Sequence, residues 1–190
     1  MKAMVKNLAG ILVLLTTFFT NAVAQHFVPS VKGSKVEFRL TSHRGEDELV
    51  KGTLGGLKGK ITFDPKDLNT ASFDISLSTG SVNTRMEARD KALKKEPFFN
   101  PPKYPLIHVR STSVTQDRPG GIVYVLHGNL TMNGVTKPVN IQFMATPTGS
   151  AYLFRGSLEV SRLAFNIGTK EDKLDDMVSV FIEVRTEKSK

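Results

Sequence analysis

Apolar and polar residues alternate along most of the chain between Ser34 and Arg185, in short runs separated by Gly, Pro, Asn and Asp. A period of two sends successive side chains to opposite faces, so each run predicts a strand with one buried face. In the first, Val36, Phe38 and Leu40 point one way while Lys35, Glu37, Arg39 and Thr41 point the other. The same reading holds for Val50 to Leu54, for Ile61 and Phe63 ahead of Asp64-Pro65, and for Phe73, Ile75 and Leu77. It continues with Ile107 and Val109 as far as Ser111, then Ile122 to Met132, Val139 to Phe143, Phe154 to Val160, and Val178 to Val184. Turns are predicted at Pro119-Gly120-Gly121, Asn133-Gly134 and Pro147-Thr148-Gly149, where the residues favour tight backbone reversal.

One segment breaks the pattern. From Thr84 to Lys95 helix formers dominate, Thr84 and Glu87 have the spacing of a capping box, and Asp90 and Lys94 that of an i,i+4 pair. A short helix is therefore expected between two strands, ended by Pro97, with Met86, Arg89 and Leu93 on its inner face and Phe98-Phe99 following. Many short strands with one apolar face make either a sandwich or a closed barrel. The long runs near 122–132 and 151–162 suit the strand tilt of a barrel, and the chain lacks the Cys and Trp of an immunoglobulin-type sandwich. The fold class expected is all-β. A barrel of about eight strands either fills with side chains or holds one small ligand, and the pattern alone leaves both open.

The N-terminus sits outside this scheme. Lys2 and Lys6 precede an apolar run from Leu8 to Phe19 and then Ala22-Val23-Ala24, the layout of a secretory signal peptide cleaved after Ala24. Residues 25–190 then form a single domain with 24 basic and 18 acidic residues, net +6, and a periplasmic or secreted bacterial location is expected. With no Cys, a disulfide framework, a thiolate zinc site, a Cys nucleophile and a lipidated cysteine are all excluded. The basic residues are dispersed rather than gathered beside aromatics, so no nucleic-acid partner is expected, whereas transient contact with an anionic membrane surface is.

Motifs for chemistry fail on spacing. Gly52 to Lys60 is rich in glycine, but Leu54 and Ile61 occupy the positions where a phosphate loop requires Gly and Ser or Thr, so a glycine hairpin or bulge is expected instead. His43 with Glu46 is a weak metal-like spacing, and His108 and His127 fall in outward phase. Glu171-Asp172-Lys173-Leu174-Asp175-Asp176 lacks the ligand alternation and glycine of a calcium loop and reads as a solvated turn. No Gly-x-Ser-x-Gly elbow is present, so no enzyme, metal or cofactor is expected. An activity on a lipid headgroup would have only His43, Glu46 and Arg89 to work with.

Taken in order, several short segments carry a resemblance. Ser34-x-Val36-x-Phe38 and His43 are followed by Gly52 and Gly59-x-Ile61-x-Phe63-Asp64, then by Ser81-Val82-x-Thr84 and Arg89-Asp90-x-x-Leu93. Phe98-Phe99, Tyr104-Pro105-x-Ile107 and Ser111-Thr112 continue the series. Gly128-x-Leu130-Thr131-x-Asn133-Gly134-Val135-Thr136-Lys137 and Arg162-x-x-Phe165-x-Ile167 complete it. From about Phe27 to Glu187 the chain resembles the YceI-like periplasmic proteins, which bind polyisoprenoids. It departs from them in the acidic stretch Arg44 to Glu48.

The resemblance implies an extended eight-stranded antiparallel lipocalin-like β-barrel with one short helix inserted. Its ligand would be an isoprenoid lipid or a quinone tail held in the lumen for transport, storage or sequestration. The residues expected to touch that ligand are Phe38, Leu40, Phe73, Ile75, Ile107, Leu130, Ile141, Phe143, Phe154, Leu158 and Phe165, with Met86, Phe98 and Phe99 from the helical segment. A homodimer is left open. So is a secreted structural or stress-response domain with a filled core and no ligand.

Overall fold

A computed structural model describes residues 25–189; the expected signal peptide at 1–24 lies outside them. The strands are β1 His26–Pro29, β2 Lys35–Ser42, β3 Glu48–Thr62, β4 Ser72–Asn83, β5 Leu106–Gln116, β6 Val123–Met132, β7 Val135–Thr148, β8 Ala151–Ser161 and β9 Met177–Lys188, with the helix α1 Glu87–Leu93 between β4 and β5. From β2 to β9 each strand pairs antiparallel with the next, and β2 returns to pair with β9. The result is a closed eight-stranded antiparallel barrel, which leaves no long unpaired edge.

The strand β1 is too short for alternation to announce, having Phe27 as its one buried residue. It does not add a ninth stave. Lying between the last residues of β3 and β9, it continues the stave that β2 begins (Phe27 opposite Ile61 and Lys188). Phe27 is thereby sealed completely from solvent.

The two runs expected at Val50–Leu54 and Ile61–Phe63 are one fifteen-residue strand, β3. The glycines between them interrupt the alternation without ending the strand, because the pairing with β4 slips at Thr53/Gly55 and again at Gly55/Lys58. Gly59 shows why a side chain is excluded: its φ is +139°, and a Cβ there would lie 2.0 Å from the Asp74 carbonyl oxygen. The bulges bend β3 so that its first half pairs with β2 and its second half with β4 and β1.

Inside the barrel the apolar residues pack as two clusters. At one end Phe63, wholly buried, stands at the centre of an aromatic group, with ring centroids at 6.3 Å to Phe73, 5.2 Å to Tyr124, 6.0 Å to Phe143, 5.3 Å to Tyr152 and 5.4 Å to Phe154. Most of these contacts are edge-to-face, the arrangement the ring quadrupole favours. At the other end Phe38, Val82, Phe99, Leu130, Phe165 and Ile167 form the second cluster, beneath α1 and the 162–176 loop.

The helix is held differently from its sequence pattern. Asp90 Oδ1 accepts from both the backbone N–H (2.7 Å) and the hydroxyl (2.6 Å) of Thr84. Met86, not Thr84, is the N-cap residue, and the i,i+4 ion pair is Glu87–Lys91. Thr84 and Asp90 thus tie the segment before α1 to its first turn.

Truncation of Phe63 removes the ring that touches five others at the closed end. Phe63→Ala is expected to lower unfolding free energy by about 3–5 kcal/mol, read as a lower denaturant midpoint at unchanged slope. A loss below about 1 kcal/mol would show that this cluster is not what holds the end shut.

Candidate functional site

Between the two clusters the barrel encloses a cavity of about 570 Å³, within the range of small-molecule sites. Its wall is made by the inward residues of all eight staves: Val36 and Leu40 of β2, Leu54 of β3, Ile75 and Leu77 of β4, Val109 of β5, Leu158 of β8, and Val180 and Ile182 of β9, with Leu126 of β6 and Ile141 of β7 below them. Several of these, including Leu40, Ile75, Leu77, Val109, Leu158, Val180 and Ile182, point inward and are still only half-buried. An inward apolar side chain keeps accessible surface only where the opposite wall does not reach it, so these residues face a bore.

The strand phase gives one wall its depth. Gly52 lies directly across from Phe38, and a Cβ on it would come within 2.2 Å of the Phe38 ring. The absence of a side chain lets that ring lie against the β3 backbone instead of crossing the lumen. At the deep end Phe73, Phe143 and Phe154 close the cavity as a triangle of rings 5.3, 5.4 and 5.9 Å apart.

The polar side chains that line the cavity are Ser42, Arg44, Glu48, Arg89 and Arg162, all at the opposite end, beside Met86 and Leu174. The four charged ones are engaged with one another or with the backbone. Arg89 Nη2 donates to both Glu48 oxygens at 2.8 and 2.9 Å, joining α1 to the start of β3 across the mouth. Arg44 Nε donates to the Asp172 carbonyl at 2.7 Å. Arg162, 4% exposed, donates to the carbonyls of Asp175, Ile167, Thr169 and Leu174 at 2.9–3.0 Å, with the Asp172 carboxylate 3.6 Å away. A buried guanidinium is tolerated only when its donors are satisfied, so Arg162 winds the 162–176 loop around itself and fixes that side of the mouth.

Thirteen of the fourteen residues expected to contact a ligand line this cavity: Phe38, Leu40, Phe73, Ile75, Met86, Phe98, Phe99, Ile107, Leu130, Ile141, Phe143, Phe154 and Leu158. Phe165 does not. It ends a one-turn 3-10 segment, Leu163–Phe165, that leaves the barrel wall, and its ring packs into the cluster under the loop. Arg89 and Leu93 face the lumen as expected, whereas Met86 remains nearly half exposed at the rim. Sequence reasoning noted Arg162 in a motif and Glu48 in the acidic stretch but gave neither a role at the site. It also passed over the β9 wall, although Val180 and Ile182 share the phase of the residues it chose.

The acidic cluster is more than a solvated turn. Asp172 takes part in a capping box with Thr169, and Asp176 accepts from the Ser161 hydroxyl and the Leu163 N–H. Asp175 accepts from the Thr41 N–H at 3.0 Å and from His43 Nε2 at 2.9 Å, while His43 Nδ1 lies 2.7 Å from Asp47. His43 thus bridges the 43–47 loop to the 172–176 segment. Its two carboxylate partners, Asp175 first, raise its pKa above the ordinary 6.5, and hydrogen bonds from His43 and Thr41 hold Asp175 down at about 2.

The stability carried by protonated His43 is fully present below pH 6.5 and is lost as pH rises through its raised folded value; that carried by Asp175 is present above 3.8 and lost as pH falls toward about 2. The difference in melting temperature between the protein and His43→Gln is therefore expected to be largest near about pH 5 and to shrink above neutrality. A difference independent of pH would contradict this bridge.

Comparison with known proteins agrees with the architecture. The model of the YceI-like domain matches residues 28–186. The chain is 37% identical over 142 residues to Protein YceI of Salmonella arizonae, covering 73% of this chain and 72% of that protein. Among solved structures it is similar to BcnA of Burkholderia cenocepacia (TM-score 0.75, 22% identity, 83% of this chain and 98% of that one). It is similar also to the YCEI protein of Campylobacter jejuni (TM-score 0.65, 25% identity, 74% and 85%). A third is a polyisoprenoid-binding domain from Saccharophagus degradans (TM-score 0.64, 12% identity, 88% and 100%). The match across nearly all the described residues, together with the closed barrel it encloses, makes this chain a member of the YceI-like domain family.

Proposed function

We propose that the protein binds an isoprenoid lipid or a quinone by its hydrocarbon tail and carries or sequesters it outside the cytoplasm. The observation that carries this reading is an apolar bore of about 570 Å³ whose polar side chains stand only at its mouth. A tail gains by leaving water along the bore while its headgroup stays beside Arg44, Glu48 and Arg89. The solved polyisoprenoid-binding domain of the same fold supports the class of ligand.

The gross transfer gain of about 0.8 kcal/mol per CH₂ falls to about 0.3 kcal/mol per atom after ordering. A tail of about twenty carbons then retains roughly 6 kcal/mol, and micromolar or tighter binding follows once the headgroup adds its contacts. No bond is made or broken in this scheme. His43 and Arg89 are poorly placed for chemistry on a headgroup, since His43 has both ring nitrogens on carboxylates and Arg89 is taken by Glu48.

Export through the signal sequence at 1–24 into the periplasm or beyond fits this role, and the lipid would be taken up during transient contact with a membrane. Leu49, Met86, Leu106 and Met177, exposed at the mouth end, are suited to that contact.

The test is organic extraction of the protein purified from its native host, followed by mass spectrometry, together with uptake of a quinone and a polyprenol by delipidated protein. An isoprenoid in the extract and saturable uptake are expected. Leu158→Asp, which sets a charge on the half-buried wall, is expected to abolish uptake while leaving the circular dichroism spectrum unchanged. An extract without isoprenoid and no uptake of either ligand would overturn the reading.

A further inference from the structure

We infer that Phe73, Phe143 and Phe154 form a fixed stop that limits the tail this protein can enclose to roughly twenty to twenty-five carbons, about four or five isoprene units. The inference rests on the lipid reading above and adds a length preference to it.

The lumen has two chemically different ends. Above the floor the middle of the wall is aliphatic and half-buried, and nearer the mouth Phe38, Phe98 and Phe99 join it beneath a polar rim. Towards the other end, the three phenylalanines are 7%, 6% and 4% exposed, each on a different stave (β4, β7 and β8). They are wedged against one another at 5.3–5.9 Å. Phe63 backs all three, and Tyr124, Tyr152 and Phe27 lie behind or beside it in the same packed cluster. A tail advancing from the mouth therefore meets several layers of interlocked rings. To pass, it would have to displace a fully buried aromatic cluster rather than rotate a single side chain.

Two estimates of the space agree. A cavity of about 150 Å³ holds one benzene-sized molecule; on that scale 570 Å³ admits roughly twenty to twenty-five carbons. Independently, β8 and the residue after it run from Phe154 at the floor to Arg162 at the mouth. At about 3.3 Å per residue and a usual barrel tilt, that is roughly 20 Å of axial depth, comparable with an extended tail of four to five units. The polar rim fixes the direction of entry, because the deep end offers no polar side chain among its lining residues for a headgroup.

The experiment measures binding of geraniol, farnesol, geranylgeraniol and the much longer solanesol to the delipidated full domain, by competition with a fluorescent prenol analogue. Affinity is expected to tighten by roughly tenfold per added unit as far as geranylgeraniol and then to level off, with the rest of solanesol projecting from the mouth. Ile182→Phe fills the bore above the stop without cutting into the aromatic cluster, and it is expected to move the plateau back to farnesol. Phe154→Leu leaves Phe63, Phe73 and Phe143 in place and is expected to keep the plateau at geranylgeraniol. Should that variant fail to fold, the Ile182→Phe shift and the wild-type series still decide.

Affinity that keeps rising through solanesol, or a plateau that Ile182→Phe leaves in place, would overturn the stop while keeping the lipid reading. A protein that binds none of the four prenols would overturn the lipid reading, and the stop with it.

Discussion

Eight tilted strands enclose an interior at the margin of what side chains can fill, and the chain meets that limit differently along its axis. At the closed end it spends six aromatic rings, Phe63 and the five it touches, where bulky groups can reach one another. Through the middle the inward positions are Leu, Ile and Val, too short to span the bore, and they keep accessible surface. The apolar face that drives folding is thus left partly unsatisfied in one bounded region. Folding buries enough at the two ends to hold the barrel, and the unburied remainder is the binding surface.

The mouth is built on the opposite principle. Where the lumen has almost no polar groups, the rim has many, and nearly every one is committed. Arg162 satisfies four backbone carbonyls of its own loop, Arg89 and Glu48 span from helix to strand, and His43 joins two loops through Asp47 and Asp175. Charge-assisted hydrogen bonds order these loops here, alongside the burial of Phe165 and Ile167. The two loops that His43 joins are tied by groups that titrate, whereas the other end is held by packed rings, so the two ends differ in what can loosen them.

Much of this was legible in the sequence, because alternation states which side of a strand faces inward. It found eight of the nine strands and placed Phe38, Ile75 and Leu158 on the lumen side. What alternation cannot state is whether the opposite wall arrives. Phe143 and Leu158 have the same inward phase, yet one is packed in a floor and the other faces open bore, a difference set by the side chains on other staves. Other readings were overridden by local geometry. Bulges carried β3 through its glycines, Asp90 turned back to Thr84, and Phe165 left with a 3-10 turn. Two of the charged bridges of the mouth, Arg89 with Glu48 and His43 with Asp175, join residues more than forty positions apart, and no short-range spacing announces them.

The account stands on the bore being open along the middle of the barrel. Xenon enters apolar cavities of this kind, so a crystal of the delipidated protein pressurised with xenon measures it directly. Xenon peaks are expected between the Phe73–Phe143–Phe154 floor and the Arg89–Glu48 bridge, with Leu40, Ile75, Leu158 and Ile182 as neighbours. Opposite walls in van der Waals contact there, with no xenon between them, would contradict the account.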